Sequence, residues 1–590
     1  DNQQLLVDVA EEATGSASFM YSVTDGTSAD GLLSAPARVT LTVADSDQNS
    51  KPFFAGVGVQ DYLGVWPSPS VAPGGTASAQ VLQGWIDPQG DPLFLASATT
   101  DAENAQVLAE SDGTVTVRHT DPSTESLEPI AVTVTVANTR GASESKDLVF
   151  KVHQSPPIDF VPAVVTTAVG VNLDIDLTEY VQGGQGSVSI AQVNESLESN
   201  DLRVTTSQMN LNVTAFQPGS YPLQVTLEDA MGNQAQQTIR IVALKPEDAT
   251  LGAWPATVFI RPGEDTTVDL IKGISNPAGH VLLITGLDLH PEEDAELTAE
   301  VVGSRYIHAS GRAAKNASDS TGATLLGTAD YTVSDGSGNP AARGRGTVSF
   351  LMVENADGYP IATDRQIQVR AGAQVDIPVL EWAKAPGGAQ LAIDQGSVSL
   401  TPTEGEGDVA AGLVFATANT IRYLAPTRPG EYSVGYSLFP IGAPEFSSSA
   451  TLRIQVVAAD NNPIRAPKLL EARAFAGATT VIVPDHFNAD IQDQTYSLST
   501  VVDQPALGTA SVAPDGESLL YTAHLGATGQ DSFTYEVRGS DGQTTLGTVL
   551  VGVLGAAASP LPILYSRYLQ TPIGAQNRVS VFPLDNAEDS

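Results

Sequence analysis

Six times along the chain a glycine turn is followed by the same alternating segment. The copies are Gly75-Thr-Ala-Ser-Ala-Gln-Val-Leu82, Gly170-Val-Asn-Leu-Asp-Ile-Asp-Leu177, Gly263-Glu-Asp-Thr-Thr-Val-Asp-Leu270, Gly372-Ala-Gln-Val-Asp-Ile-Pro-Val379, Gly477-Ala-Thr-Thr-Val-Ile-Val-Pro484 and Gly574-Ala-Gln-Asn-Arg-Val-Ser-Val581. The glycines lie 95, 93, 109, 105 and 97 residues apart. A period near one hundred residues is too long for a solenoid repeat and suits a small β-sandwich. The chain therefore reads as a string of similar domains.

Two further landmarks come late in each repeat. Tyrosines open an apolar run in Tyr21-Ser-Val, Tyr221-Pro-Leu-Gln-Val225, Tyr331-Thr-Val-Ser, Tyr432-Ser-Val-Gly and Tyr535-Glu-Val-Arg538, and Ile130-Ala-Val-Thr-Val134 fills the gap. Pro218-Gly-Ser-Tyr221 and Pro429-Gly-Glu-Tyr432 set a turn just before the ring. That pattern fits a tyrosine corner, in which the hydroxyl ties a loop to a strand, and it equally fits an ordinary half-buried strand tyrosine. Each repeat then closes on a β-branched segment, among them Thr238-Ile-Arg-Ile-Val242, Thr347-Val-Ser-Phe-Leu-Met-Val353 and Thr548-Val-Leu-Val-Gly-Val553. Alternation with period two places one face on a core and one in water. No long stretch has helical periodicity.

These marks predict an all-β chain of tandem immunoglobulin-like antiparallel β-sandwich domains arranged end to end. Short polar or proline-bearing links divide it into 51–155, 157–246, 248–355, 357–459 and 461–555. Residues 1–46 carry only late landmarks and 558–590 only early ones, so each is expected to be part of a domain, as in a segment of a longer repeat protein. Strand complementation between the two ends of different copies is the alternative. Links this short, stiffened by proline, predict a semi-rigid rod. At about 3.3 Å per strand residue it would extend roughly 150–250 Å.

Composition narrows the chemistry. The 590 residues include no cysteine, which excludes disulfides, thiolate metal sites and cysteine nucleophiles. Asp and Glu number 68 against 28 Lys and Arg, a formal charge of −40. Phosphate binding needs clustered cations, so nucleic acid is not an expected partner. No apolar run approaches the roughly 20 residues that span a bilayer, so no membrane insertion is expected within this segment. Asp1-Asn-Gln-Gln4 lacks the pattern of a signal peptide, and any export signal is expected outside the segment.

The last full repeat carries a resemblance. Gly508-Thr-Ala-Ser-Val-Ala-Pro-Asp-Gly516, Ser518-Leu-Leu-Tyr-Thr522, Gly529-Gln-Asp-Ser-Phe-Thr-Tyr-Glu-Val537 and Gly539-Ser-Asp-Gly542 resemble the bacterial immunoglobulin-like and cadherin-like repeats of large surface proteins and adhesins. Ile86-Asp-Pro-Gln-Gly-Asp-Pro92 resembles the acidic loop of that family, with glutamine where aspartate is usual. The resemblance implies a sandwich fold, a bacterial extracellular or cell-surface location, and a stalk or adhesive role. It carries no catalytic residues.

The resemblance also raises calcium, which cadherin-like rods hold at domain junctions. Calcium takes six to eight oxygens. Asp45, Asp47 and Asn49 in one link, and Asp460, Asn461 and Asn462 in another, are the candidate ligands. Partner glutamates and the acidic tripeptide of true cadherin sites are not evident, so the expected cofactor list is empty apart from this one ion. His280, His290 and His308 share a repeat without metal-ligand spacing. No Gly-x-Ser-x-Gly elbow occurs. Trp66, Trp85, Trp254 and Trp382 read as core packing rather than a carbohydrate platform.

The expectation is a non-catalytic repeat region acting as a semi-rigid stalk or adhesive scaffold. Its partners would be another protein, a cell-surface ligand or copies of itself. The alternatives are an accessory region of a large secreted enzyme and a cell-envelope assembly component with lateral contacts between repeats.

Overall fold

A computed structural model of the chain describes residues 15–22, 36–43, 48–54 and 66–555, except 122, 185–187, 196–200, 208, 230, 254, 314–322, 354–358, 386–388, 402–411, 417–419, 459–468, 485–495 and 540–541. The repeated glycines do what their sequence context predicts. Gly170, Gly263, Gly372 and Gly477 have φ of +82°, +78°, +78° and +82°. A side chain resists this left-handed region, so the turn selects glycine. In each case a strand starts two residues later, at Asn172, Asp265, Gln374 and Thr479. In the first repeat that strand starts at Thr76, and the residue two before it is Gly74, with φ +73°. The turn glycine there is Gly74 and not its neighbour Gly75. The sixth copy, at Gly574, lies outside the described residues.

Among the described residues five sandwiches follow one plan, and we number them one to five in chain order. In each, the strand after the glycine turn belongs to a three-stranded sheet, and the closing strand lies inside a larger sheet. In the third sandwich the small sheet is Asp265–Asp269, Tyr306–Arg312 and Glu296–Val302. The large sheet runs Ala256–Ile260, Arg343–Val353, Ala323–Ser334, Leu283–Pro291. Most pairs are antiparallel. The first strand of the large sheet pairs parallel to the closing strand in all five sandwiches. Before the first sandwich, Gly15–Tyr21 and Ala37–Val43 form an antiparallel pair.

Each sandwich has its own core. In the fifth it holds Leu519, Tyr521, Phe533, Tyr535, Val549, Val551 and Val553, all essentially inaccessible to water. Burying one such side chain contributes about 1.5–3 kcal/mol, so a dozen of them hold a sandwich together without disulfides. The protein is an all-β chain of tandem immunoglobulin-like sandwiches.

The tyrosine landmarks divide into two kinds. Tyr221 donates its hydroxyl to the Gln217 carbonyl at 2.8 Å, and Tyr432 to the Arg428 carbonyl at 3.2 Å. Both are tyrosine corners. Gly219 and Gly430 leave room for the rings, since a Cβ at either would come within about 3.3 Å of the phenol oxygen. Tyr331 and Tyr535 sit deeper in their strands and are core residues. In the fifth sandwich the corner position belongs to Asp531. It faces Val551, the fourth residue from the end of its closing strand, as Tyr221 faces Ile241 and Tyr432 faces Ile454. The Asp531 carboxylate accepts from the amides of Ala506 and Leu507 and from the Tyr521 hydroxyl at 2.8–2.9 Å. A carboxylate here ties loop to strand where the second and fourth sandwiches use a phenol.

A straight rod brings each domain against its sequence neighbours alone. The structure adds contacts between sandwiches two and three places apart. Phe94 and Ala137 of the first share a buried apolar cluster with Ala323, Leu351 and Val353 of the third. Gln530 and Arg473 of the fifth bond the backbone of the third. Arg118 of the first donates to Ser448 and Ser449 of the fourth. The array therefore bends back on itself, and the simple sum of domain lengths overstates its reach.

Candidate functional site: junctions and outer faces

The link into the first sandwich is held by a polar cluster. Asp87, buried in the acidic loop, accepts from the amides of Gln89 and Asp91 through Oδ1 and from Asn138 Nδ2 through Oδ2. Asn138, fully buried, also donates to Asn49 Oδ1 at 2.9 Å. Asn49 in turn donates to the Arg140 carbonyl at 2.6 Å. Gln89 exchanges hydrogen bonds with Ser50 at 2.9 and 3.2 Å. Burial pushes the Asp91 carboxyl above the ordinary aspartate range; Asp87 adds to the rise and Arg140 opposes it.

Of the six calcium candidates, only Asn49 falls among the described residues; Asp45, Asp47, Asp460, Asn461 and Asn462 lie outside them. Asn49 uses its side-chain oxygen and nitrogen to latch link to loop. Related latches recur. Asp229 accepts from the amides of Met231 and Asn233, and Asn233 donates to Ser155 of the preceding link at 3.3 Å. Asp335 holds the amide and hydroxyl of Ser337 and pairs with His280 at 3.0 Å. Among the described residues no group of three or more His, Asp or Glu side chains is placed to hold a metal ion. The three histidines of the third sandwich are dispersed: His280 faces Asp335, His290 faces Asp330 and His308 faces Asp265.

Trp66 and Trp85 pack together with Phe54, ring centroids 5.2–6.4 Å apart. The Lys146 ammonium stands 5.0 Å from the Trp66 centroid and 5.2 Å from that of Phe54. Trp382 carries the Arg365 guanidinium at 4.3 Å. Trp254 lies outside the described residues. In Trp66 and Trp382, faces that a sugar would need are occupied by the protein's own cations.

A cleft of about 340 Å³ opens where the first, third and fourth sandwiches meet, lined by Glu110, Asp112, Phe259, Arg261, Glu264 and Gln390 among others. Lys384 of the fourth sandwich pairs with Glu110 of the first at 3.4 Å. Burial raises the Glu110 carboxyl above the ordinary glutamate range; Lys384 opposes the rise and Asp112 adds to it.

The outer faces of the large sheets hold what the sequence reading missed. In the third sandwich Phe259, Leu351 and Leu325 form one row across the sheet, by the registers Phe259↔Leu351 and Leu325↔Leu351. In the fifth, Arg473, Gly552 and Gln530 form the same row, two residues before the strand end. The third sandwich's row receives the first sandwich; the fifth's receives the third. Two signals stood in the sequence. Phe350-Leu-Met-Val353 breaks the period-two alternation, as a strand buried on both faces does. Gly552 interrupts a β-branched strand, which marks close approach of another backbone.

Residues 449–552 match the family model described as bacterial Ig domain. The match begins in the closing strand of the fourth sandwich and covers most of the fifth. No curated protein matches the sequence. Among solved structures, Drosophila N-cadherin EC1-4 aligns at 13% identity over 66% of this chain and 99% of that one, with a TM-score of 0.22. Human desmocollin-1 ectodomain aligns at 11% over 84% and 99%, with a TM-score of 0.14. An endo-fucoidan hydrolase of glycoside hydrolase family 107 aligns at 12% over 52% of this chain, with a TM-score of 0.16, and the chain spans 45% of that enzyme. The paired sheets and separate cores by themselves define the fold. The chain is a tandem array of immunoglobulin-like sandwiches, and its stretch 449–552 matches the bacterial Ig domain family.

Proposed function

We propose that this chain is a non-catalytic extracellular repeat region that serves as a stalk or adhesive scaffold of a large bacterial surface protein. The observation that carries the reading is the use of polar side chains. At the links and loop ends, Asn49, Asp87, Asn138, Asp229 and Asp335 are spent on fastening backbone to backbone. Such a chain holds a shape and presents surfaces. The units of the scaffold are 51–155, 157–246, 248–355, 357–459 and 461–555. Antibody against the chain, applied to intact cells before and after external protease, tests the location. Labelling only after lysis would overturn it.

The use of outer sheet faces for contact between sandwiches favours a second reading, lateral assembly in the cell envelope. Sedimentation velocity from 1 to about 50 µM, spanning the range of weak interfaces, separates the two: a passive stalk stays monomeric. Calcium at the links remains a proposal with its own test, melting in calcium and then in chelator. An unchanged curve removes it.

A further inference from the structure

Gly552 is the central residue of an outward row on the fifth sandwich, flanked by Gln530 on one neighbouring strand and Arg473 on the other. The segment Val281-Leu282-Leu283 of the third sandwich lies over it. A Cβ placed on Gly552 would stand 3.0 Å from Leu283 Cδ1 and 3.2 Å from Val281 Cγ1. Val281 and Leu283 are fully buried, yet neither belongs to the core of their own sandwich, which takes Leu282 and Ile284 instead. The two flanking side chains clamp the segment's backbone. Gln530 accepts from the Val281 amide at 2.8 Å and donates to the Val281 and Asp335 carbonyls at 2.9 and 2.7 Å. Arg473 donates to the Leu282 carbonyl at 2.8 Å.

We propose that the row Arg473–Gly552–Gln530 is a docking socket for an extended apolar segment, occupied in this chain by Val281–Leu283, and that filling or emptying it folds or extends the array. Side-chain amide and guanidinium groups read the backbone of the occupant. The bare glycine admits its two aliphatic side chains. The matching row of the third sandwich, Phe259–Leu351–Leu325, seats the first sandwich in a buried apolar cluster, so the two contacts differ in chemistry at one structural position. The fourth sandwich carries Gln368, Gln455 and Glu431 at the same register and leaves no glycine seat. Docking is thus written into particular units, and a hydrogen-bonded socket opens separately from an apolar one. This inference concerns geometry between two sandwiches, and its failure would leave the surface reading standing.

The test uses the full chain, which has no cysteine to remove. Spin labels on Lys272→Cys and Glu517→Cys, both at exposed positions, report the distance between the third and fifth sandwiches. The parent chain should give one narrow distance peak. Gly552→Val, a substitution that favours a strand and faces outward, should move that peak to longer distances and broaden it, with amide exchange at Val281 rising roughly tenfold or more. The double variant Gln530→Ala, Arg473→Ala should do the same without touching the seat, and it decides the matter if Gly552→Val fails to fold. A distance peak unchanged in the folded variants, or already long and broad in the parent, overturns the proposal.

Discussion

Gln530 pairs with both backbone groups of Val281, 249 residues earlier in the chain, accepting from its amide and donating to its carbonyl. A side-chain amide here does what a neighbouring β-strand does, and it does so between two sandwiches that are not adjacent in sequence. Removing it leaves a buried amide and carbonyl without partners, and each such loss costs about 1–3 kcal/mol. Gln530→Ala should therefore deprotect Val281 in hydrogen exchange and leave the core amides of Phe533 and Val549 protected. Loss of protection in those strands as well would mean that Gln530 supports the fifth sandwich itself rather than the contact.

The tyrosines predict opposite outcomes from one substitution. Tyr221→Phe and Tyr432→Phe each lose a hydrogen bond to a loop carbonyl and should lower the stability of their sandwiches by about 1 kcal/mol. Tyr535→Phe should be neutral or stabilising, because its hydroxyl is buried without a hydrogen-bond partner. Urea unfolding followed sandwich by sandwich checks the ranking.

Asp531→Ala should be the most damaging change near the corner position. It strands the amides of Ala506 and Leu507 and the hydroxyl of Tyr521 together. At about 1–3 kcal/mol per unpaired buried group the loss should exceed 2 kcal/mol in the fifth sandwich. Asp531→Asn keeps one of the two acceptor oxygens and should cost less.

Glycine turns allow a graded test of backbone strain. At Gly170 an added Cβ meets nothing within 4 Å, so Gly170→Ala costs only the left-handed conformation, about 1–2 kcal/mol. At Gly412, also at positive φ, the Cβ would collide with the Leu424 carbonyl oxygen, and Gly412→Ala should cost distinctly more. Equal losses in thermal melts would show that conformation alone sets the cost.

The pH dependence has two signs. Hydrogen bonding from Arg422 holds the Asp376 carboxyl below the ordinary value of 3.8. Its contribution is present above 3.8 and is lost as pH falls through the lower folded value. The pair is largely exposed, so the effect is small. Glu110 runs the other way. Its carboxyl is raised by burial, so the contact between the first and fourth sandwiches strengthens as pH falls through the raised value, completing below the ordinary 4.5. Glu110→Gln should strengthen that contact at neutral pH and flatten this dependence; Asp376→Asn should flatten the acid loss. Unfolding midpoints between pH 7 and 3 read both.

Fold class was legible in the sequence because its determinants are local. A left-handed turn selects glycine, and a half-buried strand alternates with period two, whatever lies elsewhere in the chain. Asn49 was legible as a junction residue for the same reason: it sits in a short polar link. Its role as a latch on Asn138 and Arg140 was not, since those partners are about ninety residues away in sequence. The tyrosines were aligned by spacing, and spacing does not see that Tyr331 lies four residues deeper in its strand than Gly327, which holds the corner position opposite Phe350.

By itself, then, the sequence determined the unit: a sandwich per hundred residues, each closed by local turn chemistry and its own apolar face. Only the tertiary structure decided the arrangement of units. Whether Gly552 is an idle gap or a seat, and whether Leu351 is an exposed liability or a buried contact, depends on which distant surface covers it. Covering one outward residue with another domain is a non-local event, and no period or propensity in a single strand encodes its partner.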